Sequence, residues 1–375
     1  MIAAAVILLS SVHPAFSRTS DVQDARPGFV YDVDFDFRFD NREYGDGEFS
    51  PSMTVFGARL TPSAGVQINT PSAGRHRIML GLDIMKDFGS GTPAADLIHE
   101  VLLYYNWNRS FGKTDLSMTA GIFPRSEMEG SWSTAFFSDS LAFYDNNLEG
   151  LILKFRRPSA YYELGCDWMG KYGDTRRERF MIFSSGEARL AKNIIVLGYS
   201  AYMYHYAGSR EVKGVVDNFL LNPYVGADFS GWAGMQKLGL RLGWLQTVQR
   251  DRALVGHFVF AGGGELLLDV KNWNAGVENR LFYGTDMMPY YDATDAAGYK
   301  YGNSLYFGDP FWQVSPDGSG PGFYDRLEVY YEPVIASFLR LRISAVMHFN
   351  GGFSGWQQIV SLKFDLQSLL EKFSN

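Results

Sequence analysis

The 375-residue sequence predicts an all-β fold, a single transmembrane antiparallel up-and-down β-barrel of about 16 strands. Three observations carry this reading. Apolar and charged residues alternate in strand after strand, connections alternate between short and long, and no apolar run beyond the N-terminus approaches the ~20 residues of a spanning helix. The alternation is clearest at the start. Phe29, Tyr31, Val33, Phe35, Phe37 and Phe39 occupy one face of a strand, and Asp32, Asp34, Asp36, Arg38 and Asp40 the other.

Composition agrees. The chain is 46% hydrophobic, yet its mean hydropathy is −0.13, because each lipid-facing residue of a barrel is followed by one facing the lumen. Aromatic residues reach 16% and glycines number 40, as aromatic girdles and tight turns require. A net charge of −7 argues against nucleic acid as a partner. The single cysteine, Cys166, excludes an intrachain disulfide and a Cys-based metal site, and strand parity puts it on the apolar face beside Leu164 and Trp168. Ile2 to Leu9 are apolar, and Ala15-Phe16-Ser17 has the small-x-small form of a cleavage site. Residues 1–17 are therefore read as a secretory leader and 18–375 as one barrel domain.

After the first strand, the second runs near Thr54–Ile68 with Phe56, Leu60, Val66 and Ile68 outward. The third presents Ile78, Leu80, Leu82 and Ile84 outward and Arg75, Arg77 and Asp83 inward. The fourth opposes Val101, Leu103, Tyr105 and Trp107 to Tyr104 and Asn106, and the fifth opposes Leu116, Met118, Ala120 and Ile122 to Asp115, Ser117 and Thr119. A long polar-aromatic loop, Pro124–Asn147, follows. The sixth and seventh strands carry Leu151, Leu153, Phe155 and then Tyr162, Leu164, Cys166, Trp168 outward. Less regular strands cover about 178–190, 194–207 and 216–229. The eleventh sets Leu238, Leu240, Leu242 and Trp244 against Arg241; the twelfth spans 254–270; the thirteenth sets Val277 and Leu281 against Glu278 and Arg280. The last three put Arg326, Glu328, then Arg340, Arg342, His348, then Lys363, Asp365 inward.

Connection lengths supply an independent count. Bacterial barrels have an even number of strands, short periplasmic turns and long external loops. Loops after odd strands are long here, at 41–50, 88–95, 124–147 and 170–177, and the phase holds to the C-terminus if 284–322 is one external loop. That gives 16 strands; a strand pair within Asn303–Trp312 would make the number 18.

The words Gly121-Ile122-Phe123-Pro124-Arg125 and Phe137-Ser138-Asp139-Ser140-Leu141, running into Asn147-Leu148-Glu149-Gly150, stand out within this pattern. Together they make the chain resemble a Gram-negative outer-membrane β-barrel of the porin type, similar to barrels of the Bacteroides group. The resemblance implies a bacterial outer-membrane location, contact with outer-membrane lipid and lipopolysaccharide, small polar solutes as cargo, and a homotrimer. In trimeric general porins the loop after strand five folds into the lumen. By that resemblance Arg125, Glu127, Glu129 and Asp139 form a constriction, with an ordinary external loop as the alternative. Such barrels usually end on an aromatic residue; here Phe364 and Phe373 are the nearest.

The expected function is passive diffusion of small hydrophilic solutes or ions through a wet lumen. Its lining would be Asp32, Asp34, Asp36, Arg38, Arg241, Glu278, Arg280, Arg326, Glu328, Arg340 and Arg342. No P-loop, HExxH or Cys/His metal pattern is present, so neither a cofactor nor a metal is expected, and the chain is read as a non-enzyme. Two alternatives remain: a non-conducting structural or assembly barrel, and a hydrolase with its site at the rim, where His205 and His257 would act.

Overall fold

A computed structural model describes residues 27–366 and 369 except 46–51, 295–297, 299 and 316–317. The expected leader, 1–17, lies outside the described residues, as does Phe373.

Period-two patterning becomes strand throughout. The strands are β1 (Gly28–Tyr44), β2 (Met53–Thr70), β3 (Gly74–Asp87), β4 (Ile98–Phe111), β5 (Thr114–Pro124), β6 (Asn147–Arg157), β7 (Ala160–Gly170), β8 (Arg179–Leu190) and β9 (Ile195–Tyr206). They continue as β10 (Val216–Asp228), β11 (Lys237–Asp251), β12 (Val259–Asn272), β13 (Ala275–Gly284), β14 (Gly322–Tyr331), β15 (Val334–Ala336), β16 (Leu339–Asn350) and β17 (Phe353–Asp365). Ring strands pair antiparallel with their sequence neighbours, except that β14 pairs with β16, and β1 pairs with β17. The result is a closed ring of 16 strands, with three-residue β15 attached to β16 outside it. Closure leaves no open sheet edge, which a membrane would not tolerate. The ring is that of a bacterial outer-membrane protein.

The ring settles two open points of the sequence. The segment 303–312 forms no strand, only a short helix at Gly302–Leu305 and a 3-10 turn at Pro310–Trp312, so the larger strand number does not arise. Strand β12 starts at Val259 rather than near 254, because Leu254 and Val255 turn back to donate their backbone N–H groups to the Asp251 carbonyl.

Faces follow parity. Ile78, Leu80, Val101, Leu103, Leu240, Leu242 and Trp244 are exposed outward, while Arg59, Asp83, Thr119, Glu163, Glu265 and Arg326 are buried inward. An inward carboxylate or guanidinium needs a partner once water is excluded. Arg59 therefore donates to Asp83 at 2.5 Å, and Arg280 to Glu265 at 2.7 Å.

The lumen is not uniformly wet. Segment 125–146, carrying helix α1 (Asp139–Tyr144), folds inward after β5, and the described residues of segment 285–321 fold inward after β13. Phe136, Tyr290, Tyr301, Leu305, Tyr306, Phe311, Trp312 and Val314 of these segments are buried against inward wall residues Phe183, Tyr202, Tyr204, Leu245, Phe282 and Tyr324. The long-loop half of the barrel thus holds an apolar core. The expectation of solvent throughout the interior is corrected here. Burying aromatic area offsets the cost of ordering two long loops. The loops meet closely at Gly308, where an added Cβ would lie 2.3 Å from the Ala135 carbonyl oxygen, so only glycine fits.

Candidate functional site

Beneath the infolded segment 125–146 a cavity of about 560 Å³ remains. Ser131, Trp132, Thr134, Phe137 and Asp139 roof it, and it reaches Asp228, Ser230 and Lys237 at the short-turn end. The bacterial rule places that end in the periplasm. Arg38, Arg241, Glu278, Arg280, Arg326, Glu328, Arg342 and Asp139, all named from the sequence, line this one cavity.

Register explains the tension within it. Arg280 stands directly opposite Arg326 across β13 and β14, and Glu278 directly opposite Glu328. Like charges directly opposed destabilise a sheet. Carboxylates from elsewhere relieve the arginines. Asp139 accepts from Arg326 at 2.5 Å, Glu328 accepts from Arg326 at 3.1 Å, and Glu265 accepts from Arg280. Arg38 donates to the Asp139 carbonyl at 3.2 Å, so the α1 N-terminus is latched to both β1 and β14.

Not every expected residue gathers here. Asp32 and Asp34 cluster with Asp365, and Asp36 pairs with Lys363 at 3.1 Å. Arg340 is exposed and paired in register with Lys363 near the short-turn mouth. The constriction set also divides. Arg125 bonds Asp145 at 3.0 Å and Asp167 at 3.3 Å, Glu127 pairs with Lys154 at 2.9 Å, and Glu129 pairs with Arg156. These three tie the segment's start to the β6–β7 wall, and Asp139 alone reaches across the lumen.

The plug carries its own titration. Burial, and then the neighbouring Asp139, push the Asp309 carboxyl up to about 7, against the pull of Arg326, Arg42 and Arg280. Burial lifts Asp286 of the same segment to about 6. Desolvation pushes the half-exposed Asp139 carboxyl up, yet Arg326, then Arg38, Arg280 and Arg342, hold it below the usual carboxylate range. A carboxyl raised by docking favours the docked state below its free value, and that contribution is lost as pH rises through its docked value. Docking of segment 285–321 is therefore expected to tighten from pH 8 to pH 6. Asp139, titrating lower, contributes no opposing change in that window. Limited proteolysis at the two pH values checks this, and faster cleavage at pH 6 would refute it.

A second constellation lies on the outer wall at the long-loop rim. Trp168, Phe180, His205, Asp217 and Arg250 occupy successive positions in register across β7 to β11, all facing outward. Trp168 stacks on Phe180 at 5.6 Å between ring centres, and Phe180 lies 5.0 Å from His205. His205 Nδ1 is 3.6 Å from Asp217 Oδ1. Arg252, at the start of the next loop, grips both Asp217 oxygens at 2.8 and 2.9 Å. Sequence reasoning found His205 but not Asp217 or Arg250, because only β9–β10–β11 register brings the three together. His257 has an exposed place on the 252–258 loop, His76 bonds Tyr105 at 2.7 Å, and His348 is buried inside with Tyr324 and Gln357.

A closed ring with infolded loops and a belt of outward apolar residues defines an outer-membrane β-barrel protein. Residues 32–270 match the lipid A 3'-O-deacylase-type family, and the chain belongs to that family. This overturns the expectation of a non-enzyme, since the family is named for a hydrolase. No curated protein matches the chain. Among solved structures, a loop-deletion mutant of OmpT, an outer-membrane protein of Vibrio cholerae, has a TM-score of 0.53. It shares 8% identity, over 91% of this chain and 100% of that one. Pseudomonas aeruginosa OccD3 (TM-score 0.47, 10% identity, 90% and 91% covered) and a Rh. blastica porin mutant (0.44, 12%, 90% and 100%) also match. The first of these likenesses bears on the fold alone.

Proposed function

We propose that the protein is an outer-membrane ester hydrolase that removes acyl chains from an outer-leaflet lipid at its lipid-facing rim. The His205–Asp217 pair carries this reading. It lies within the matched segment, on the wall that lipid touches, at the end where lipid headgroups sit. Membership of a deacylase-type family supports it.

The chemistry needs only groups already in place. Asp217, held by Arg252, stands 3.6 Å from Nδ1 as the charge partner of the imidazole, and the other ring nitrogen accepts a proton from water. The hydroxide equivalent adds to the ester carbonyl carbon, and positive charge at Arg250 favours the developing oxyanion. Collapse breaks the acyl C–O bond, and the imidazolium returns its proton to the departing alkoxide. Trp168 and Phe180 extend the row as an apolar bed for the chain.

His205→Ala is expected to lower fatty-acid release by roughly a hundredfold or more, with Asp217→Asn less affected and His257→Ala unchanged. Mass spectrometry of lipid A incubated with the purified barrel reads the outcome. Wild-type release from His205→Ala would end the proposal.

A second reading, passage of small polar solutes, is favoured by the charge-lined cavity open toward the short-turn end. The homotrimer implied by porin resemblance belongs with it.

A further inference from the structure

We propose that the short-turn-side cavity is a binding site for small soluble oxyanions, such as phosphate monoesters or carboxylates, entering from the periplasmic mouth. This deepens the solute reading by naming a class, and it is independent of hydrolysis at the rim.

The argument starts from what faces the cavity. Its lining carries eight cationic side chains, Arg38, Arg189, Arg241, Arg280, Arg326, Arg342, Lys237 and Lys363. It carries five acidic ones, Asp139, Asp228, Asp269, Glu278 and Glu328, so the lining is net positive by three. Several balancing carboxylates, Asp36, Asp40, Glu187 and Glu265, are not part of that lining. The surface a solute meets is thus more basic than the wall as a whole, and low-dielectric walls focus that field.

A second observation is independent of the charge sum. The Nε–H groups of Arg38, Arg280 and Arg326 lack an acceptor among the described residues. Arg280 and Arg326 are more than nine-tenths buried, and a buried donor without a partner costs free energy. Their terminal nitrogens are spent on Glu265, Glu278, Asp139 and Glu328. An oxyanion seated between the opposed guanidinium groups, with a small rotation of each, would accept these unspent donors and relieve the Arg280–Arg326 repulsion. The planar fork of arginine suits phosphate and carboxylate oxygens. A volume near 560 Å³ admits a solute of sugar-phosphate size.

Titration calorimetry on the full mature protein in detergent micelles tests this with glucose 6-phosphate, citrate and glucose. The two anions are expected to bind and glucose to show no heat. Arg326→Gln should weaken binding at least tenfold. Because that change also touches the latch, Arg342→Gln and Lys363→Gln are measured beside it, each expected to weaken binding several-fold and to leave the barrel folded. Equal heats for glucose and its phosphate, or unaltered binding in both milder variants, would overturn the inference. A silent planar bilayer with intact binding would refute passage only, and conduction without anion binding would refute this site only.

Discussion

Asp139→Ala is expected to undock the first infolded segment and expose residues 125–146 to protease while the ring stays closed. Asp139 is the one residue of that segment's charged set that crosses the lumen, and it bonds an arginine almost wholly removed from water. Removing the carboxylate leaves Arg326 with Glu328 as its nearest partner and Arg280 directly opposite. Only the guanidinium is buried and the carboxylate is half exposed, so losing this charged hydrogen bond costs about 2 kcal/mol, a shift of roughly thirtyfold in the docked-to-undocked ratio. The bilayer should show long open events absent from the parent. Asp174→Ala is the control, because its pair with Arg210 is exposed on both sides and such pairs contribute little. Cleavage kinetics of Asp139→Ala that match the parent would show that the latch does not hold the segment.

Trp312→Ala is the second large effect. The indole is fully buried, packs edge-on against Phe282 and Tyr324 with ring centres 5.0 Å from each, and donates Nε1–H to Thr134 Oγ1 at 3.2 Å. It therefore joins wall, second segment and first segment. Truncating a core tryptophan costs roughly 3–5 kcal/mol. Both segments are expected to become cleavable together, with heat-modifiable migration of the barrel on gels preserved. Cleavage confined to 285–321 would show that the first segment docks on its own.

The strands were legible because lipid outside and protein or water inside impose one rule at every second residue. Phe35 and Asp36 need no distant information to declare their sides. Loop-length phase then supplied the strand number, which the 303–312 helix and turn bear out. The fate of the loops was less legible. Eight aromatic residues between 285 and 321 were the available signal for an inward fold, but local sequence does not say what they pack against. Asp139 and Arg326 are 187 residues apart, and their bond exists only once the ring closes. Arg125, Glu127 and Glu129 look like Asp139 by type, and the wall behind them decides otherwise. At the rim, His205 was visible as a histidine, whereas Asp217 became its partner only through β9–β10 pairing.

The seam between β1 and β17 joins residues from opposite ends of the chain, Phe35 with Phe364 and Asp40 with Ile359. Such a seam carries the greatest loop-closure cost in the molecule. Gln357 of the final strand donates to Asp40 of the first, and Arg42 beside it bonds Ser140 on α1. The closing seam and the first infolded segment are thus bonded through one short run of β1. A fault at this seam would therefore reach the first infolded segment, although that segment is far from either end of the chain.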